Sequence, residues 1–172
     1  MRAMLTLLLL LPIDQAGTPL RRPDVPYIPT PESVVVAMLN LAQVTPRDIV
    51  YDLGSGDGRI PIAAARRFGA RGIGIEIEPN LVRRANDNLA LAGVADRVMF
   101  LNQDLFEADI SSATVVTLFL LPGMNQKLMP KLQRELRPGT RVVSLNFSMG
   151  DAWPPDISQD ADGLTIYMWT IR

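Results

Sequence analysis

The chain has 172 residues, 48% of them hydrophobic, and a formal net charge of −1. That length suits one domain with a sizeable core, and the near-neutral balance excludes a strong electrostatic field for nucleic acid or anionic membrane. With neither Cys nor His, disulfides, thiolate metal sites, cysteine nucleophiles, imidazole bases and His-based metal sites are excluded.

The N-terminus opens on Met1-Arg2 and an apolar run, Leu5 to Leu11, closed by Pro12. A charge followed by a short apolar run has the form of a secretory signal. The run is too short for a spanning helix, which needs about 20 apolar residues. Asp14-Gln15-Ala16 is a poor cleavage site. Residues 1–20 are read as an apolar segment, a signal or an anchor, ahead of a single domain over residues 21–172. That leaves cytoplasm, membrane association and export open as destinations.

Six prolines between residues 12 and 31 predict an extended linker and not a packed element. Thr30-Pro31-Glu32 predicts a helix start with Thr30 as N-cap, running to about Gln43. Strands are expected at 49–53, 72–77, 98–102, 113–121 and 141–147. Helices are expected at 58–68, 79–92 and 125–136. Residues 151–162 read as a polar loop with room for a short strand, and Leu164 to Ile171 as a final antiparallel strand. This alternation predicts an α/β fold: a Rossmann-like, doubly wound, mostly parallel sheet with an antiparallel C-terminal strand and helices on both faces.

Ligands of such sheets bind beyond the carboxyl ends of the strands. The first strand ends in Asp52 and the turn Gly54-Ser55-Gly56-Asp57-Gly58. A carboxylate at the end of a buried strand is costly unless something binds it. A cationic amine-bearing ligand such as S-adenosylmethionine (SAM) would do so, whereas a dinucleotide pyrophosphate would not. The spacing is G-x-G-x-G and not the G-x-G-x-x-G of dinucleotide folds, which weakens a NAD-dependent oxidoreductase. The second strand ends in Glu76-Ile77, where an acid can accept both ribose hydroxyls. Asp104-Leu105 after the third strand can take the adenine amino group and ring. Phe119, Leu121 and Pro122, at the end of the fourth, lie where a methyl acceptor would sit. The plain alternatives are a surface Glu76 with Glu78 in its role, and a capping role for Asp104.

In this order the residues resemble the class I SAM-dependent methyltransferases, with Asp52 to Gly58 as their first motif. Pro26-Tyr27-Ile28-Pro29-Thr30-Pro31, the string from Asp52 to Ile60 and Asp104-Leu105-Phe106 are similar to one subgroup. These are the small protein-lysine methyltransferases of the mitochondrial inner membrane and their bacterial relatives; the eukaryotic members act on lysines of ATP synthase c subunit and the adenine nucleotide carrier. The resemblance implies SAM as cofactor and a protein lysine as acceptor. It implies that the Tyr27 to Pro31 segment, with Tyr27 and Thr30, folds over the SAM site and helps shape the acceptor channel, and it makes an apolar N-terminal segment less anomalous. It departs after the fifth strand, where the chain leaves room for one strand or a short hairpin. The Asn-Pro-Pro-Tyr motif of amide and nucleobase methyltransferases is absent, with Leu120-Leu121-Pro122 in its place, so nucleic acid is not expected as a partner. A small-molecule methyltransferase and a non-catalytic SAM-binding module are the other readings. No general base is assigned.

Overall fold

A computed structural model describes residues 22–172; the apolar run at Leu5 to Leu11 and the first half of the linker lie outside the described residues. Strand and helix alternate in the order α1 (Glu32–Leu41), β1 (Ile49–Leu53), α2 (Arg59–Phe68), β2 (Arg71–Glu76), α3 (Pro79–Ala92), β3 (Val98–Asn102), β4 (Val115–Leu118), α4 (Pro122–Glu135), β5 (Arg141–Leu145), β6 (Ile157–Ala161) and β7 (Leu164–Thr170). The seven strands form one sheet in the order β3-β2-β1-β4-β5-β7-β6. β1 to β5 run parallel, β7 pairs antiparallel with β5, and β6 antiparallel with β7. The strand order reverses between β1 and β4, so the crevice of a doubly wound sheet opens at their carboxyl ends.

Alternation along the strands divides the core between the two faces. Val50, Val115, Val143 and Ile166 pack under α1 and α2, and α3 joins that layer through Ala85 and Leu89. Tyr51, Leu53, Ile75, Val116 and Trp169 face the other way, under α4 and the irregular 103–114 connection. That connection buries Leu105, Ala108 and Ile110 and covers the sheet where a helix would otherwise lie.

Several boundaries differ from those the sequence predicts. β4 keeps only Val115–Leu118 of the expected 113–121, because Thr114 is drawn into side-chain bonds with Asp48 at one end and the chain leaves the sheet after Leu118 at the other. α4 starts at Pro122, three residues early, with Pro at the first position and Leu121 as its cap. The cap of α1 is Pro31, with no side-chain cap bond, so Thr30 is not an N-cap. The last loop contains β6, joined to β7 by Asp162-Gly163, both with positive φ (54° and 77°). Two positive-φ residues in a two-residue loop make the turn type that matches strand twist. No helix among the described residues is long and apolar enough to cross a membrane.

Candidate functional site

β1 carries Asp52 to the crevice in register with Thr117 of β4. The Asp52 carboxyl is buried, and among the described residues the Thr117 hydroxyl, 2.7 Å from Oδ1, is its one hydrogen-bond donor. Burial pushes its pKa up from 3.8 to about 7; the Thr117 bond opposes this, and the charges of Glu76 and Asp57 add to it. Such a group favours a cation arriving beside it.

The turn after β1 is held against β2, since the amides of Gly54 and Ser55 both donate to the Ile75 carbonyl, at 2.9 and 3.0 Å. Gly56 lies at φ 52°, and a Cβ there would come within 2.5 Å of the Tyr27 ring. Its amide donates to Glu76 Oε2 at 2.8 Å, while the Glu78 amide donates to Oε1 at 2.9 Å. Two backbone donors thus fix the buried Glu76 carboxylate with lone pairs to spare for a diol. The rival Glu78 caps α3, accepting from Asn80, although it also borders the cleft.

Asp57 forms a two-bond pair with Arg59, at 2.9 and 2.7 Å. Burial alone would raise the Asp57 carboxyl, but the Arg59 guanidinium holds it below the ordinary value. Arg59 also donates to the Thr30 carbonyl at 2.6 Å. Residues 22–30 therefore do not trail as an unpacked linker. They lie over the glycine turn, with Thr30 only 4% exposed.

These parts enclose a cleft of about 780 Å³. All but four of the residues the sequence puts forward line it. The exceptions are Gly58, Asp104, Leu121 and Pro122. Gly58 starts α2 at φ 80°, and a Cβ there would run into Phe100 at 2.3 Å, so packing requires that glycine. Asp104 accepts from the Phe106 amide at 2.9 Å, closing its own turn, while its neighbours Gln103 and Leu105 face the cleft. Leu121 and Pro122 are used up in starting α4, and Phe119, Leu120 and Met124 form the wall instead.

Thr117 and Met124 escape the sequence reading, and Arg59 enters it only as part of the motif string, with no role. A threonine within the otherwise apolar Val115–Leu118 strand is the available sign for Thr117. For Arg59 the sign is its place in the Asp52 to Ile60 string, two residues after Asp57. The Ser55 hydroxyl, also on the cleft wall, is buried without a hydrogen-bond partner among the described residues.

The residues fit SAM: a buried carboxyl lacking a cationic partner among the described residues, a second carboxylate positioned for a diol, and an orphaned hydroxyl beside the glycine turn. The family model of the ANTKMT methyltransferase domain matches residues 52–157. A protein-lysine N-methyltransferase of Saccharolobus islandicus is 48% identical over 87% of this chain and 95% of its own length. An adenine nucleotide translocase lysine N-methyltransferase of Mus musculus is 38% identical over 78% of this chain, which spans 58% of that protein. The crystal structure of an RNA methyltransferase from Salinibacter ruber, in complex with S-adenosyl-L-homocysteine, superposes with a TM-score of 0.82. It is 61% identical and covers 84% of this chain and 94% of its own.

Proposed function

The chain belongs to the ANTKMT methyltransferase domain family and is a SAM-dependent methyltransferase; we propose that its acceptor is a lysine amine of a protein. The observation that carries the cofactor half of this reading is the convergence of two buried carboxylates, Asp52 and Glu76, on one cleft. Asp52 binds the ammonium of SAM, Glu76 its ribose hydroxyls, and the Gly54–Gly56 turn with Ser55 lies along its amino-acid part. Ile77 and Leu105 hold the adenine, with Asp104 fixing the turn that presents Leu105. Bound SAM supplies an electrophilic methyl on a sulfonium.

The acceptor side is built from Val25, Pro26, Ile28, Phe119, Leu120 and Met124. A lysine amine is protonated at neutral pH, with an unperturbed pKa of about 10.4. Desolvation against these apolar walls favours the neutral amine. The same walls hold the amine in line and exclude water, and positioning of this kind supplies up to about 7–11 kcal/mol. No side chain is needed as a base in this scheme.

RNA is the second reading, favoured by the likeness to the Salinibacter RNA methyltransferase. Phe119 and Leu120, at the end of β4, offer no polar side chain to grip a planar base, and the Saccharolobus lysine methyltransferase matches 87% of the chain, so lysine is preferred. Since SAM is made and kept inside cells, the cytoplasm is the proposed place of action. The test is incubation of the purified protein with methyl-labelled SAM and, separately, the protein and RNA fractions of one cell extract. Label recovered as methyl-lysine after protein hydrolysis supports the proposal; label confined to nuclease-sensitive material overturns it.

A further inference from the structure

Nine consecutive residues, 22–30, border the cleft. Three of them, Pro23, Pro26 and Pro29, have no amide hydrogen to give to a ladder, and none of the nine is in a strand. A segment of this composition must be held by side chains. Val25 packs on the core, and the polar attachments gather at the Asp57–Arg59 pair, where the Tyr27 hydroxyl is also hydrogen-bonded to Asp57 and Arg59 makes the most contacts. Its guanidinium grips both oxygens of Asp57, reaches the Thr30 carbonyl with Nη1 at 2.6 Å, and donates from Nη2 to the Tyr27 hydroxyl at 3.5 Å. Tyr27 in turn lays its ring on Gly56, where no side chain would fit, and carries the Arg84 guanidinium 5.8 Å from its centroid. Only the planar fork of arginine makes these contacts together; a lysine ammonium could keep Asp57 but not the two strap contacts as well.

We propose that Arg59 is a positioning residue for methyl transfer. It fastens the proline-rich strap over the glycine turn, and thereby keeps SAM in the cleft and completes the wall that Val25, Pro26 and Ile28 present to the acceptor. This rests on the reading that SAM occupies this cleft. Arg59 borders the cleft, and its part in this scheme is played through the strap.

The test follows dissociation of labelled SAM from the full-length protein, chased with excess S-adenosylhomocysteine, together with the melting temperature of the ligand-free protein. Arg59→Lys is expected to release SAM about tenfold faster, the scale of a lost charge-assisted hydrogen bond. Its melting temperature should stay within about 3 °C of wild type, because the Asp57 pair survives. Combining it with Tyr27→Ala should add little to the larger single effect, since both release the same strap. Should Arg59→Lys fold poorly, Asp57→Asn with Arg59→Gln removes the stranded carboxylate and carries the same expectation. Unchanged dissociation in these variants, or effects that multiply in the double variant, overturns the proposal while leaving the cofactor site intact. If wild type fails to bind SAM, or Asp52→Asn binds it equally well, the cofactor-site reading falls and the proposal with it.

Discussion

Asp48 and Asp52 stand four residues apart at opposite ends of β1, both buried, and their surroundings differ sharply. Asp48 accepts from the Thr45 amide and hydroxyl, the Thr114 hydroxyl and the Arg141 guanidinium, all within 2.9 Å. Burial would raise its carboxyl, but these donors together hold it below its ordinary value. Asp52 has Thr117 alone and is pushed up to about 7. A carboxylate whose partners are supplied by the fold is structure; one left short of partners at a strand end is a site waiting for them.

The sharpest way to break this comparison is to remove the satisfied acid. Asp48→Ala strands Arg141 and should cost about 3–5 kcal/mol in urea unfolding, while SAM affinity of the folded protein stays unchanged. If affinity fell as far as stability, the two ends would not be separable. Asp52→Asn should do the reverse, weakening SAM binding by about 1.5–3 kcal/mol, the worth of a hydrogen bond to a charge. It should also make the ligand-free protein more stable at pH 8. The sign follows from linkage: a carboxyl with a raised folded pKa destabilises as pH rises from about 4 to about 7. Asp48, with a lowered one, stabilises above its ordinary 3.8 and loses that contribution only as pH falls through its lower folded value. Stability of Asp52→Asn below wild type at pH 8 would contradict the assignment. Glu76→Ala should weaken SAM binding by about 1–3 kcal/mol; an unchanged affinity would move the ribose role to Glu78. The smallest effect is expected from Thr117→Val. It removes the one donor to Asp52, raises that carboxyl further, and should shift the pH midpoint of SAM binding upward with a loss of about 1 kcal/mol.

The contrast also shows what a sequence makes legible. Asp52, Glu76 and the glycine turn can be read because strand ends in an alternating α/β chain are predictable and those residue types are costly there. Thr117 and Arg59 cannot, because their roles depend on the register of β4 against β1 and on a segment 29 residues earlier in the chain folding back over the turn. Asp104 illustrates the ambiguity of local patterns: the same residue type serves to meet a ligand or to close its own turn, and here Oδ1 of Asp104 closes the turn. β6 has a visible signal, Asp162-Gly163 between two short runs, which is a strong hairpin dipeptide. The polarity of Ser158 to Asp160 masks it, and those residues are polar because an edge strand exposes them.

The most direct test is calorimetric titration with SAM across pH 5 to 7 in buffers of different ionisation enthalpy. The account predicts affinity that rises with pH over this range and a proton released on binding, both abolished in Asp52→Asn. Affinity independent of pH, with no proton released and the variant equal to wild type, would contradict it.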